Sequence, residues 1–447
     1  MTIPTILNYQ GSKSSLIPFL KTNLQKYLQP GDVLFDIFSG SGSVGAAFKN
    51  ENIIYANDAE EYAAIISSSL LNTPNSKMLR KIQLQFQEKF QSNIKHNLEK
   101  FQDYIEKERE LIQAKDNENL IMLYDGFPTI WKTNNAISVE ILRSRKEYNL
   151  FTHYYSGSYF GIEQSITIDS IIETIHSFKE KSVVHTLFSC LFFAMKETVF
   201  SKDGHMAQPL NPTKNVTRHL KQRSKNIIHL FIKKLDEFIS YSCEQSENNI
   251  LEHKIFNLDI ENIIKDNVFT NKKIKMIYAD PPYTDMQYSR YYHLLNIAAK
   301  YDFPNPTILR GKYTTGLYTE GRNQSDLSKK STAKIRITEL CQYCKENDII
   351  LVLSYAYPED RINQKTDRYT ISIEELIDLA KNIFGSNNVS IAEENYKHAN
   401  HRNSSTKSVF EYLIVCGPST SESEEPNSLL NLKYDIKTTI PTSKNPI

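Results

Sequence analysis

Glycine is scarce in this chain, 14 of 447 residues, so a cluster of glycines carries more information than it would elsewhere. Neither sign of charge prevails: 53 Lys+Arg stand against 52 Asp+Glu, a formal net charge of +1. Global charge therefore gives no nucleic-acid signature, and any such binding has to rest on local basic patches. Cysteine is sparse and scattered: Cys190, Cys243, Cys341, Cys344 and Cys416. An odd set of that kind suits free thiols in a reducing cytoplasm. Cys341 and Cys344 form a C-x-x-C, but no second pair follows at zinc spacing, so no metal site is expected. No apolar run reaches bilayer length; Val183 to Phe200 is broken by His185, Lys196 and Glu197 and reads as a buried helix. Met1-Thr2-Ile3-Pro4 lacks both a charged and an apolar leader region. No signal peptide, no membrane association and a cytoplasmic location are expected. A single Trp stands beside 26 Tyr and 22 Phe, most of which belong in the core or on half-buried surface.

What is present is an ordinary globular balance, 40% hydrophobic and 23% charged residues. It supports a sizeable core and either two or three domains or one domain with a large insertion. Val33-Leu34-Phe35 is a short apolar strand, Ser39 to Gly45 a glycine-serine turn, and Ile53-Ile54-Tyr55 a second strand ending at Asn57-Asp58. From Ser76 to about Asn117 the chain is charged, without Gly or Pro, and predicts a long, mostly solvated helix or helical hairpin. The continuous runs Lys275 to Ala279 and Ile349 to Leu353 read as central parallel strands, and Glu411 to Val415 as a last strand. Beyond Gly417 the composition turns to Ser, Glu, Asn and Pro, the signature of a disordered tail over 418–447. The economical reading is an α/β protein whose doubly wound sheet is split in sequence. Residues 1–70 and 251–417 form the sheet, and a large, mostly helical insertion fills 71–250.

Three motifs carry chemistry. Asp280-Pro281-Pro282-Tyr283 follows straight after an apolar strand. Two prolines fix the backbone and lack donors, so the chain leaves the sheet there, at the carboxyl end of the strands where α/β folds bind ligands. An amine held there would give its two hydrogens to the Asp280 carboxylate and the Pro281 carbonyl, and Tyr283 offers an aromatic face to a flat ring. The bland alternative is a turn that ends a strand. The second motif is Asp36-Ile37-Phe38-Ser39-Gly40-Ser41-Gly42-Ser43-Val44-Gly45, whose glycines spell G-x-G-x-x-G. A dinucleotide site is thus one reading, with Asp58 spaced to take ribose hydroxyls. Asp36 just before the turn instead suits the ammonium of a methionine moiety, and a dehydrogenase has no use for Asp-Pro-Pro-Tyr on a later strand. The third motif, Tyr9-Gln10-Gly11-Ser12-Lys13, is weak alone and gains weight from the other two.

Together these residues resemble the Dam-like, alpha-class family of DNA adenine-N6 methyltransferases. Tyr9 to Lys13 is similar to that family's N-terminal cofactor segment, and Asp36-x-Phe38-x-Gly40-x-Gly42 to its glycine loop. Asn57-Asp58 matches its ribose-binding acidic position, Asn257-Leu258-Asp259 a short motif before the catalytic strand, and Asp280 to Tyr283 its catalytic tetrad. The resemblance covers about the first 70 residues and roughly 255 to 290, then Leu351 to Ala356 loosely. It implies a Rossmann-like methyltransferase sheet with a target recognition region inserted between the acidic and catalytic motifs. It also implies a S-adenosyl-L-methionine pocket lined by Tyr9, Lys13, Asp36, Phe38, Gly40, Gly42, Asp58, Asp259 and Asp280. Asp280 and the Pro281 carbonyl would polarise the adenine amine, Pro282 would hold the turn, and Tyr283 would stack on a base flipped from double-stranded DNA. A separately acting restriction endonuclease is the implied partner of a restriction-modification methylase. Rival readings are an inactive nucleic-acid-binding regulator with the same fold, and methylation of RNA adenine, of cytosine N4 or of a glutamine amide. Asp at 280 favours adenine over the glutamine-modifying enzymes, which open with Asn.

Local basic patches are present. Between Lys214 and Lys234 there are seven basic residues and no acidic one, among them Arg218, Lys221, Arg223 and Lys225. A phosphate-contacting face and a solvated face are the two readings. A second candidate follows the catalytic motif, with Arg310, Lys312 and Arg322 among glycines. Tyr154 to Gln164 is either a base-reading loop or, better, a buried aromatic cluster.

Overall fold

A computed structural model of the protein describes residues 3–7, 13–132, 137–244, 251–265, 274–285, 287–358, 367–398 and 407–417. Among the described residues there are nine strands: β1 Val33–Asp36, β2 Ile53–Asn57, β3 Lys254–Phe256, β4 Ile274–Ala279, β5 Ile308–Leu309, β6 Lys312–Tyr313, β7 Ile350–Pro358, β8 Val389–His398 and β9 Lys407–Cys416. Seven of them make one sheet in the order β3-β2-β1-β4-β7-β9-β8. The first five neighbours are parallel, and β9 runs antiparallel to both β7 and β8. β5 and β6 form a separate two-stranded antiparallel hairpin among the described residues.

The alternation of each central strand explains the layering. Phe35, Ile277, Leu351 and Ile414 point to one face, where the helices Lys330–Glu346 and Ile373–Phe384 cover them. Leu34, Met276, Val352 and Leu413 point to the other, under the helices Ile17–Leu24 and Ser43–Phe48. A strand apolar on both faces has to be roofed twice, which is why these runs read as continuous hydrophobic segments. The protein is thus a mixed α/β fold with a mostly parallel central sheet.

Between β2 and β3 the chain is helical. The helix Glu61–Leu71 packs its inner face on Ser43–Phe48 and its outer face on Lys181–Thr198, the apolar helix read from the sequence. The charged stretch from Ser76 follows the hairpin alternative and not the single helix: it forms Ser76–Glu99 and Gln102–Ala114, with Asn117–Gly126 after them. Leu79, Ile82, Phe86 and Phe90 recur at helical spacing and are buried, so a full apolar stripe hides among the Lys and Gln. Tyr154, Tyr155, Tyr159 and Phe160 are buried as an aromatic cluster, the better of the two readings of that segment.

The order of the sheet turns back on itself at β1, with β2 and β3 on one side and β4 and β7 on the other. Connections on the two sides leave in opposite directions, and a crevice opens outside the carboxyl ends of β1 and β4. Among the described residues no helix is long and apolar enough to cross a membrane. The C-terminal residues 418–447, read as a disordered tail, lie outside the described residues.

Candidate active site

A cavity of about 330 Å³ occupies that crevice. This lies within the range of small-molecule sites. Its wall combines the ends of β1 (Asp36), β2 (Asn57, Asp58) and β4 (Asp280 to Tyr283) with the glycine turn, Leu258-Asp259 and Asn323 to Ser328. Lys13, Phe38 and Gly40 line it as well. Tyr9 lies outside the described residues. Gly42 does not reach the cavity; it shapes the turn behind it. At φ +69° it precedes the helix Ser43–Phe48, and a Cβ there would meet the Ser67 backbone at 3.2 Å.

Asp58 already has work within the protein. Its Oδ2 accepts the Gly40 N–H and its Oδ1 the Glu60 N–H, both at 2.9 Å. The carboxylate therefore fastens the glycine turn to the end of β2 besides facing the cavity. Asn57, buried beside it, ties β1 to the Asp259 segment by donating to the Ile37 and Leu258 carbonyls and accepting the Leu258 N–H. Asp259 in turn accepts from the Asn323 side chain at 3.2 Å, joining the two walls.

Electrostatically the cavity is acidic. Among the described residues lining it Lys13 is the only basic one, against Asp36, Asp58, Glu60, Asp259, Glu261, Asp280 and Asp326. Burial raises the Asp58 carboxyl to about 6 and, reinforced by Asp58, the Glu60 carboxyl to about 7. Burial, then Asp280 and Asp58, holds Asp36 well above the usual carboxylate range. Its Oδ1 is buried and has no hydrogen-bond partner among the described residues. Crowded carboxylates with an unspent acceptor suit a ligand that carries positive charge.

Lys13 does not point into the cavity as a free cation. Its Nζ lies 2.8 Å from Glu411 Oε1 and 3.1 Å from Asp280 Oδ1. Burial pulls this ammonium down, but Asp280 and Glu411 outweigh it and hold its pKa well above the ordinary value. Burial pushes the Asp280 carboxyl up to about 7; Lys13 opposes the rise and Glu411 adds to it. Glu411 escapes a reading by motif because it sits in β9, far from any other chemical residue. Tyr369 escapes it too. Its ring stacks on Tyr283 with centroids 5.9 Å apart and planes 11° apart, and Thr370 N–H donates to the Tyr283 carbonyl. Tyr283 is thus held as a fixed plate at the cavity wall.

The basic residues divide into two kinds. Lys214, Arg218 and Lys221 are exposed on or beside the helix Val216–Arg223. Arg223 departs from its expected place on that face. It is buried, donates to the Ser158 and Tyr159 carbonyls, and lies over the rings of Tyr124 and Phe200. A guanidinium so placed holds helices together and reaches no phosphate. Lys225 is half-buried and donates to the Glu197 carbonyl, and Lys234 is buried over Phe193. Arg310 and Lys312 are exposed on the β5–β6 hairpin, whose turn residues Arg310 and Gly311 both have positive φ. Arg322 is half-buried, over the Tyr318 ring at 4.4 Å. Cys341 and Cys344 are both buried, and among the described residues no three metal-binding side chains converge.

Comparison with known proteins agrees with this geometry. A family model described as D12 class N6 adenine-specific DNA methyltransferase matches residues 9–146 and 232–352. The modification methylase LlaI of Lactococcus lactis subsp. lactis is 24% identical over 436 residues, 96% of this chain and 58% of that protein. The modification methylase StsI of Streptococcus sanguinis is 22% identical over 409 residues, 88% of this chain and 51% of that protein. The type II methyltransferase M.NlaIII of Neisseria lactamica is 24% identical over 355 residues, covering 77% and 78%. The chain thus spans little more than half the length of the first two and most of the third.

Proposed function

The chain belongs to the D12 class N6 adenine-specific DNA methyltransferases, and from that membership we propose that it methylates N6 of an adenine flipped out of duplex DNA, with S-adenosylmethionine as donor. The observation that carries the reading is an acidic cavity at the sheet's turning point. It joins Asp280-Pro281-Pro282-Tyr283 to the glycine turn and to Asp36 and Asp58.

The residues present fit a cationic methyl donor. Asp36, with its unspent oxygen, would take the donor's ammonium, and Asp58 its ribose hydroxyls while keeping the glycine turn closed. Phe38, Gly40, Asp259 and Lys13 would complete that wall. The donor supplies an activated methyl group on a sulfonium, so orientation does most of the work and no strong base is needed. The adenine amine is a poor nucleophile because its lone pair is delocalised into the ring. The Asp280 carboxylate and the Pro281 carbonyl would accept its two hydrogens and favour a pyramidal nitrogen. Tyr283, backed by Tyr369, would stack on the base, and Pro282 keeps the turn rigid.

Exposed Lys214, Arg218 and Lys221, with Arg310 and Lys312 on the hairpin, would meet the phosphates. The helical region between β2 and β3 would carry target recognition, since the family match breaks off at 146 and resumes at 232 within it. On this reading residues 1–70 and 251–417 are the catalytic halves and 71–250 the inserted recognition region. The protein would work in the cytoplasm, and a cognate restriction endonuclease would act separately on the same sites.

Calorimetric titration with S-adenosylmethionine tests the donor. A cation is favoured by ionised neighbours, and Asp58 and Asp280 carry protons in the free protein as pH falls below about 6 and 7. Affinity is therefore expected to rise between pH 5 and pH 8 and then level off. No binding, or tighter binding at pH 5, contradicts the donor assignment.

A further inference from the structure

β9 carries an acidic side chain where its pattern calls for an apolar one. Alternation sets Glu411 with Leu413 and Val415 on the sheet face roofed by the helix Ile17–Leu24, and its side chain is 0% exposed. Its Oε1 accepts from Lys13 Nζ and from the Ser354 hydroxyl of neighbouring β7. Oε2 is buried without a hydrogen-bond partner among the described residues. The same Lys13 ammonium faces Asp280 Oδ1 at 3.1 Å. One cation thus links the last strand to the tetrad, 398 residues apart from Lys13 to Glu411.

A buried ion pair is a weak reason for stability, because well-packed apolar residues serve as well or better. Glu411 is therefore better explained by the third member of the set. Resting on the methyltransferase reading of the cavity, we propose that Glu411 is a positioning residue for the transfer, anchoring the Lys13 ammonium so that the Asp280 carboxylate is fixed opposite the adenine amine. Glu411 touches neither base nor donor; it acts through Lys13.

The groups facing Asp280 are Lys13 from the N-terminal segment, Glu411 from β9, Tyr278 from β4 and Asp36 from β1. Burial is the main reason that Asp280 holds its proton up to about pH 7; Lys13 opposes this and Glu411 reinforces it. Neutralising Glu411 at constant shape removes the reinforcement, so Asp280 titrates at lower pH.

The test compares wild type with Glu411→Gln in single-turnover methyl transfer to duplex DNA between pH 5 and pH 9. Carbon-13 carboxyl NMR of the ligand-free protein, assigned with Asp280→Asn, reads the same group without activity. The expected result is a rate about 10–100-fold lower at pH 8, the size of loss that small misplacement brings. The acid limb and the Asp280 titration should both move to lower pH. A folded Glu411→Gln with wild-type rate and unmoved titration overturns the proposal. If Glu411→Gln does not fold, Lys13→Met/Glu411→Leu removes both charges together, and a wild-type rate in that variant overturns it equally. Wild-type protein that transfers no methyl group overturns the methyltransferase reading itself, and this role with it.

Discussion

Replacing Asp280 by alanine should lower kcat for methyl transfer about 10²–10³-fold, the loss seen when one preorganised polar partner of a developing charge is removed. On the proposed mechanism the target nitrogen would gain positive charge as the methyl arrives, so its hydrogen bond to the carboxylate would strengthen on the way to the transition state. An interaction of that kind acts on kcat far more than on binding. Asp280→Ala is therefore expected to shift duplex DNA in a gel as wild type does. A 2-aminopurine at the target position should still brighten as it unstacks. Tyr283→Ala separates the two roles, because a stacking plate also holds the flipped base in the ground state. That contact is worth about 1–3 kcal/mol, and its loss should change the fluorescence signal itself. Normal turnover by Asp280→Ala would refute the mechanism.

Lys13→Met is expected to cost about 3–5 kcal/mol of stability, the price of stranding buried charge without its partner. Two carboxylates, Asp280 and Glu411, share the ammonium that this change removes. The loss should depend on pH in a definite direction. Burial already raises the Asp280 carboxyl to about 7, and without Lys13 it rises further. The folded variant then holds a proton that the unfolded chain releases near the ordinary carboxylate value. Stability of the variant therefore falls as pH rises through that window. Denaturant unfolding should show the largest deficit against wild type at pH 8 and a smaller one at pH 5.5. Equal stability of the two proteins at pH 8 would mean that the buried pair is not formed.

What could be read in advance follows from how far each feature spreads along the chain. Asp36 to Gly45 and Asp280 to Tyr283 are contiguous, and each stands at the end of an apolar run, so residue type and strand end are legible together. The strands β1, β2, β4 and β7 announce themselves because both faces are roofed. β8 does not, since Ser390, Glu393, Glu394 and Asn395 are exposed at the sheet edge and leave little apolar pattern. Arg223 looked like one more cation on a basic helix. Only the fold brings Tyr124, Phe200 and the Ser158 and Tyr159 carbonyls around it. Glu411 left one faint signal, a charge on the parity of Leu413 and Val415, but nothing in sequence joins it to Lys13. Contacts between distant segments are set by the packing of the sheet and its helices, and no local pattern encodes them.

The central claim is the identity of the methylated atom. Purified protein incubated with duplex DNA and S-adenosylmethionine carrying a labelled methyl group, followed by digestion to nucleosides and mass spectrometry, reads it directly. The label is expected in N6-methyladenine, and its rate of incorporation should fall about 10²–10³-fold when Asp280→Ala replaces the wild type. Label in N4-methylcytosine, or in RNA but not in DNA, would contradict the account.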